Sequence, residues 1–181
     1  MKNNIALIGF MGAGKSVTGR ALAQVLKREF VDTDETIEKK AGMTISAIFA
    51  QQGEDAFRDL ESEAVRQACS GQERVIACGG GTVLRQKNIE VLRGSALIIY
   101  LAARPEAILQ RVGDGKTRPL LKEGNRSATM TELLRARQPL YEKAADIIID
   151  TTDIDTSTVV KKILSELDRY EGYHLQKQRS G

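Results

Sequence analysis

Apolar residues along this chain fall into two alternating kinds of run. Short unbroken stretches have the length and make-up of strands buried on both faces: Ile5-Ala6-Leu7-Ile8, Val75-Ile76-Ala77-Cys78, Ala96 to Leu101, and Ile147-Ile148-Ile149-Asp150. Phe30-Val31-Asp32 reads as a shorter strand of the same kind. Between them apolar residues recur at helical spacing. Val17, Ala21, Leu22, Val25 and Leu26 form one such face, and Phe57, Leu60, Ala64, Val65 and Ala68 a second. Val159, Val160, Ile163, Leu164 and Leu167 form a third, on a helix capped by Asp155. Gly42, Gly53 and Gly71 stop helices predicted over Glu35–Ala41, Thr44–Gln52 and Glu54–Ser70. Arg85–Leu92 and about Thr129–Lys143 read as further helices, and Pro105 opens one that runs to about Val112.

Strands that are apolar throughout, alternating with helices, mean a parallel sheet covered on both faces. Ligands of such sheets bind at the C-terminal ends of the strands. The Gly-rich stretch Gly113 to Gly124 is a candidate lid, and the chain is polar beyond Gly172. No repeat and no low-complexity segment is visible.

Composition changes this picture little. The chain has 181 residues, 41% hydrophobic and 28% charged, as expected for one soluble globular domain. The net charge of +3, from 27 basic and 24 acidic residues, is too even to suggest nucleic acid, and aromatics at 4% offer few stacking platforms. No apolar run is long enough to span a membrane, and Met1-Lys2-Asn3-Asn4 leads straight into Ile5, so a cytoplasmic location is expected. Cys69 and Cys78 lack metal-ligand spacing and read as buried free thiols.

The chemistry starts in the loop after the first strand. Gly9-Phe10-Met11-Gly12-Ala13-Gly14-Lys15-Ser16 satisfies G-x-x-x-x-G-K-[ST], with a strand before it and a helix after it. Glycines let successive N–H groups turn inward around anionic oxygens, and the helix aims its N-terminus at the same point. Lys15 can reach the β- and γ-phosphates, and Ser16 can offer its hydroxyl to Mg²⁺. A nucleoside triphosphate is therefore expected on Gly12, Ala13, Gly14, Lys15, Ser16 and Val17.

Three further features lie at strand ends or on nearby helices. Asp32 and Asp34 place two carboxylates after the second strand, suited to holding metal and to holding or deprotonating a hydroxyl nucleophile; the alternative for Asp34 is a helix N-cap. Gly79-Gly80-Gly81 offers backbone N–H groups with no side chain in the way. Arg58, Arg118 and Arg137 are ordinary singly, but together suit a carboxylate and a transferring phosphoryl group.

The order of these motifs resembles the shikimate kinase family. Gly9–Ser16, Asp32/Asp34, Phe57-Arg58, Gly79–Gly81, Arg118-Pro119-Leu120 and Arg137 with Tyr141 carry the resemblance, which covers residues 5 to about 168. It implies a three-layer α/β fold of the P-loop, nucleoside-monophosphate-kinase-like type, with a five-stranded parallel sheet of order 2-3-1-4-5. It also implies a substrate-binding segment at about 33–61, a lid at about 112–124, and a tail over 172–181 outside the domain.

The implied activity is ATP- and Mg²⁺-dependent phosphorylation of the 3-hydroxyl of shikimate, a step of chorismate and aromatic amino-acid biosynthesis. Ser16 and, through water, Asp32 would hold Mg²⁺, and Lys15 the transferring phosphate. Asp34 would bind the ring hydroxyls and be the candidate base. Arg58 and Arg137 would clamp the substrate carboxylate, with Gly79, Gly80 and Gly81 lining the site. Arg118 would come down with the lid, and Arg111 would lie against the adenine. The expected partners are these small molecules, with no nucleic acid or membrane, and the expected state is a monomer.

Thr151-Thr152-Asp153-Ile154 stands where many members of that family carry a basic residue beside the nucleotide base. His174, the only histidine, lies in the tail, so no histidine base is expected in the site. Two other readings keep the loop. A gluconate or nucleotide kinase would change the acceptor, but Asp34 is a poor neighbour for a phosphorylated one. A nucleotide-dependent switch would carry a guanine-reading N-K-x-D, which is absent from the sequence.

Overall fold

The computed structural model describes residues 3–112 and 126–170. Most of the expected lid, with Arg118, and the tail with His174 lie outside the described residues. The elements alternate as the apolar pattern requires. They run β1 (Asn4–Ile8), α1 (Lys15–Leu26), β2 (Glu29–Asp32), α2 (Thr33–Ala41), α3 (Ile45–Cys69) and β3 (Arg74–Ala77). A short 3-10 turn at Thr82–Leu84 precedes α4 (Gln86–Ser95) and β4 (Ala96–Ala102). Then follow α5 (Pro105–Val112), α6 (Arg126–Ala144), β5 (Ile147–Asp150) and α7 (Thr156–Arg169).

The five strands form one parallel sheet in the order β2-β3-β1-β4-β5. Central β1 pairs with β3 from Ile5 opposite Val75 and with β4 from Asn4 opposite Ala96. Because side chains alternate across a strand, the sheet sorts its residues into two cores. Ala6, Ile8, Ile76, Ile98 and Tyr100 face one layer with Leu92, Met130 and Tyr141. Ile5, Leu7, Val75, Leu97 and Ile99 face the other with Leu22, Val160 and Ile163. A third, smaller core of Ile37, Ile48, Phe57 and Ala64 ties α2 to α3. The expected substrate-binding segment thus has its own packing.

The predicted stop at Gly53 is real. Its φ of 81° and ψ of 176° interrupt α3, so Ile45–Cys69 is two helices joined end to end. The buried face of α1 needs a correction. Val17 and Val25 are 62% and 57% exposed, and the packed residues are Thr18, Gly19, Leu22 and Ala23. A methyl on Gly19 would stand 2.5 Å from the Phe30 ring, so close helix–strand approach, rather than large apolar side chains, seats this helix. Among the described residues no helix is long and apolar enough to cross a membrane.

Candidate functional site

Two cavities open at the C-terminal ends of β1, β2 and β3, of about 360 and 530 Å³. They share five lining residues: Met11, Ser16, Asp32, Asp34 and Gly80. Anything bound in one therefore meets anything bound in the other at the glycine loop and the two aspartates.

The larger cavity follows the loop itself. Gly14 takes φ 89° as it caps α1, a conformation only glycine adopts cheaply, and the helix N-terminus opens into the cavity behind it. Lys15 Nζ donates to the Gly9 and Phe10 carbonyls at 2.9 Å each, so the ammonium lies folded over the loop. Gly12, Ala13, Val17 and Thr18 complete this wall. The far wall comes from Arg111, Thr151, Ile154, Asp155, Thr156 and Val159. Arg111 donates to Thr151 Oγ1 at 3.1 Å and to the Thr151 carbonyl at 2.5 Å. The segment that lacks a basic residue thus supplies apolar Ile154 and an anchor for the guanidinium.

Asp32 and Asp34 have separate surroundings. Asp32 is the N-cap of α2, its Oδ1 accepting from Asp34 N–H at 2.9 Å and Glu35 N–H at 3.4 Å. Its other oxygen, Oδ2, accepts from Ser16 Oγ at 2.6 Å. The cap alternative for Asp34 is thereby overturned, because Asp32 fills that position and Asp34 lies inside the first turn.

The smaller cavity is lined by Asp34, Phe49, Phe57, Arg58, Glu61, Gly80, Gly81 and Arg137, among others. Both arginines are buried here, Arg58 at 5% and Arg137 at 7% exposure. Arg58 donates from Nη1 to Glu61 Oε2 at 2.9 Å, and from Nη2 and Nε to Glu54 Oε1 at 3.0 and 3.2 Å. Burial works against its charge, but Glu61 and Glu54 outweigh it and hold its pKa above the usual value. Glu61 is fully buried. Desolvation pushes its pKa up, and the neighbouring Arg58, Thr82 and Arg137 pull it back only in part. Arg137 reaches from α6 over the Phe10 ring of the loop, 5.9 Å from its centre.

The three glycines are there for space. None of them has positive φ. A methyl on Gly79 would stand 2.6 Å from Asp34 Oδ1 and 2.8 Å from Glu61 Oε1, and one on Gly81 only 1.8 Å from Arg58 Nη1. Gly80 and Gly81 line the smaller cavity as expected. Gly79 does not. It is buried and its N–H donates to Thr33 Oγ1 at 2.9 Å, so its contribution is the room it leaves for two carboxylates.

Glu61 and Thr33 were not singled out by the sequence, and Thr151 was noted only for the basic residue it lacks. The signal for Glu61 was present, as a carboxylate one turn after Arg58 on a face otherwise apolar. Thr33 and Thr151 carried no signal, since their partners, the Gly79 N–H and the Arg111 guanidinium, are brought from far away along the chain.

Comparison with known proteins identifies the family. The family profile described as shikimate kinase matches residues 11–168. A shikimate kinase of Thermodesulfovibrio yellowstonii is 45% identical over 166 residues, 92% of this chain and 95% of its own length. One from Dehalococcoides mccartyi is 43% identical over 170 residues, 94% and 96% of the two chains. The structure of Acinetobacter baumannii shikimate kinase in complex with shikimate superposes with a TM-score of 0.90 at 39% identity, over 92% of this chain and 93% of that one. A gluconokinase from Sinorhizobium meliloti shares the fold alone, with a TM-score of 0.58 at 16% identity over 93% of each chain. Matched by the family profile over residues 11–168 and by relatives of 43–45% identity along more than nine-tenths of its length, the chain belongs to the shikimate kinase family.

Proposed function

We propose that the chain transfers the γ-phosphoryl group of ATP to the 3-hydroxyl of shikimate, giving ADP and shikimate 3-phosphate. The observation that carries this is the meeting of two cavities at Asp34. One is walled by a phosphate-binding loop, the other by two buried arginines suited to a carboxylate. The 39%-identical Acinetobacter structure is a complex with shikimate, which supports the same acceptor here.

In this reading Arg58 and Arg137 grip the acceptor carboxylate, which aims the ring toward the loop. Asp34 accepts hydrogen bonds from the ring hydroxyls and holds the attacking oxygen in line with the γ-phosphorus. The bond from the β,γ-bridging oxygen to phosphorus breaks as the bond from O3 to phosphorus forms, and the O3 proton passes to Asp34. Lys15 exchanges the Gly9 and Phe10 carbonyls for phosphate oxygens, neutralising charge on the transferring group. Arg118 is assigned to the same phosphates, and Arg111 with Ile154 to the base.

Ser16 Oγ and Asp32 Oδ2, in contact at 2.6 Å, form a hard-oxygen donor pair of the kind Mg²⁺ prefers. They would hold the ion, Asp32 through water, and the ion would supply charge neutralisation on the β- and γ-phosphates.

Asp34→Asn tests the assignment of the acceptor. The helix cap stays intact because Asp32 provides it, so melting should shift little. ATP affinity should be unchanged, shikimate binding weaker, and turnover lower by at least roughly a hundredfold, the low end of acid–base contributions. Near-normal kcat/KM for shikimate would remove Asp34 from the reaction.

A further inference from the structure

Tyr141 is the largest fully buried side chain among the described residues, on the helix that carries Arg137. Its ring stacks on Tyr100 of β4, centres 5.1 Å apart and planes 21° from parallel. Packing alone would be served as well by phenylalanine, so the hydroxyl needs its own account. That oxygen donates to the Gly80 carbonyl at 2.5 Å, and the Arg137 guanidinium, one turn earlier on the same helix, is close enough for its charge to act on the phenol. Desolvation pushes the phenol pKa up, so the proton stays on oxygen throughout the working range and the donor is permanent.

We propose that Tyr141 is a positioning residue for the acceptor carboxylate, its hydroxyl holding Arg137 and the Gly80 carbonyl in one relay. Two consequences follow from elementary geometry. A guanidinium has five N–H groups in a rigid fork, so fixing one edge on Tyr141 fixes where the other edge points. A peptide unit is planar and trans, so fixing the Gly80 carbonyl sets the opposed direction of the Gly81 N–H in the cavity wall. The relay thus orients a side-chain donor from α6 and a backbone donor from the glycine turn with one oxygen atom. Without it Arg137 keeps only the Phe10 face and the distant Glu61 charge as guides, and Gly80 keeps three glycines' worth of freedom.

The proposal rests on Arg137 binding the substrate carboxylate, and a double-mutant cycle separates the two ideas. Tyr141→Phe retains the stacked ring and loses one atom. It should weaken shikimate binding about tenfold or more in calorimetry, the scale of a hydrogen bond to a charged group. KM for shikimate should rise with it, while kcat falls less and nucleotide affinity stays constant. In an Arg137→Gln background the same substitution should cost clearly less, leaving only the part carried through the Gly80 carbonyl. Tyr100→Phe strips the hydroxyl from the other ring of the stack and should leave affinity unchanged.

A lower melting temperature with unaltered shikimate affinity in Tyr141→Phe would overturn the positioning role and leave a packing role. Arg137→Gln with unaltered affinity would instead overturn the carboxylate clamp. Wild-type protein labelled at tyrosine Cζ gives an independent readout that needs no variant to fold. Shikimate should move the Tyr141 resonance and leave that of Tyr100 in place, and a stationary Tyr141 signal would contradict the relay.

Discussion

Arg58 shows how a single side chain can be prepared for a ligand. Its Nη1 is committed to fully buried Glu61, but its Nε and Nη2 edge rests on Glu54, whose side chain is 54% exposed. That edge is the one a substrate carboxylate would take in bidentate fashion. In the role proposed for Arg58, Glu54 would stand in for the ligand and compete with it. Glu54→Gln should tighten shikimate binding about two- to fivefold, since an exposed pair of this kind is worth at most about 1 kcal/mol. Calorimetry decides the matter, and weaker binding would mean that Glu54 orients Arg58 instead of competing for it. The residue scale is also where the sequence was least legible. Arg58 alone looks like a solvated helix arginine: Glu54 and Glu61 stand one turn to either side, but nothing local says that Gly81 closes over it and that its pair with Glu61 is buried. That Asp32 rather than Asp34 caps α2 was equally hidden, since the helix begins at Thr33, two residues before the Glu35 at which the sequence starts it.

At the scale of elements, α3 is built from two helices that meet at Gly53. A methyl there would touch nothing within 4 Å, so the glycine is required by its backbone angles alone. Gly53→Ala should cost about 1–3 kcal/mol in urea unfolding, the usual strain of such a conformation in a residue with a Cβ. A gain in stability would show that the two halves can merge into one straight helix. This break was readable from the sequence, as were the five strands, because runs apolar on both faces and a lone glycine between helical patterns have few alternatives. The face of α1 was misread for a matching reason. Hydrophobic periodicity counts large side chains, whereas α1 approaches Phe30 through Gly19 and leaves Val17 and Val25 outside. Val17 does line the larger cavity beside the glycine loop, which accounts for an exposed valine at the start of a helix.

For the whole molecule, buried and exposed carboxylates pull stability in opposite directions with pH. Burial raises Glu61 above its usual 4.5, so the stability it contributes is whole below that value and is lost as pH rises through its native one. Asp150, lowered by the Thr152 hydroxyl and N–H, and Asp155, lowered by the Thr158 N–H and hydroxyl, act the other way. Their contribution is present above 3.8 and is lost as pH falls through their native values. Against Glu61→Gln, wild type should therefore lose melting temperature as pH rises above the usual 4.5 through the raised native value, while both proteins weaken together at the acid end. A gap between them that does not change with pH would mean that the Arg58 pairing cancels the burial of Glu61. What the whole molecule does with these parts is tested most directly by ADP release. Purified protein with ATP and Mg²⁺ should be offered shikimate, quinate, gluconate and nucleoside monophosphates in turn. The arginine pair and Asp34 predict rapid release with shikimate, and turnover at least about a hundredfold lower with gluconate or a nucleoside monophosphate, since mismatched polar groups in a closed site are costly. Equal or faster release with gluconate or a nucleoside monophosphate would contradict the acceptor assigned to this site.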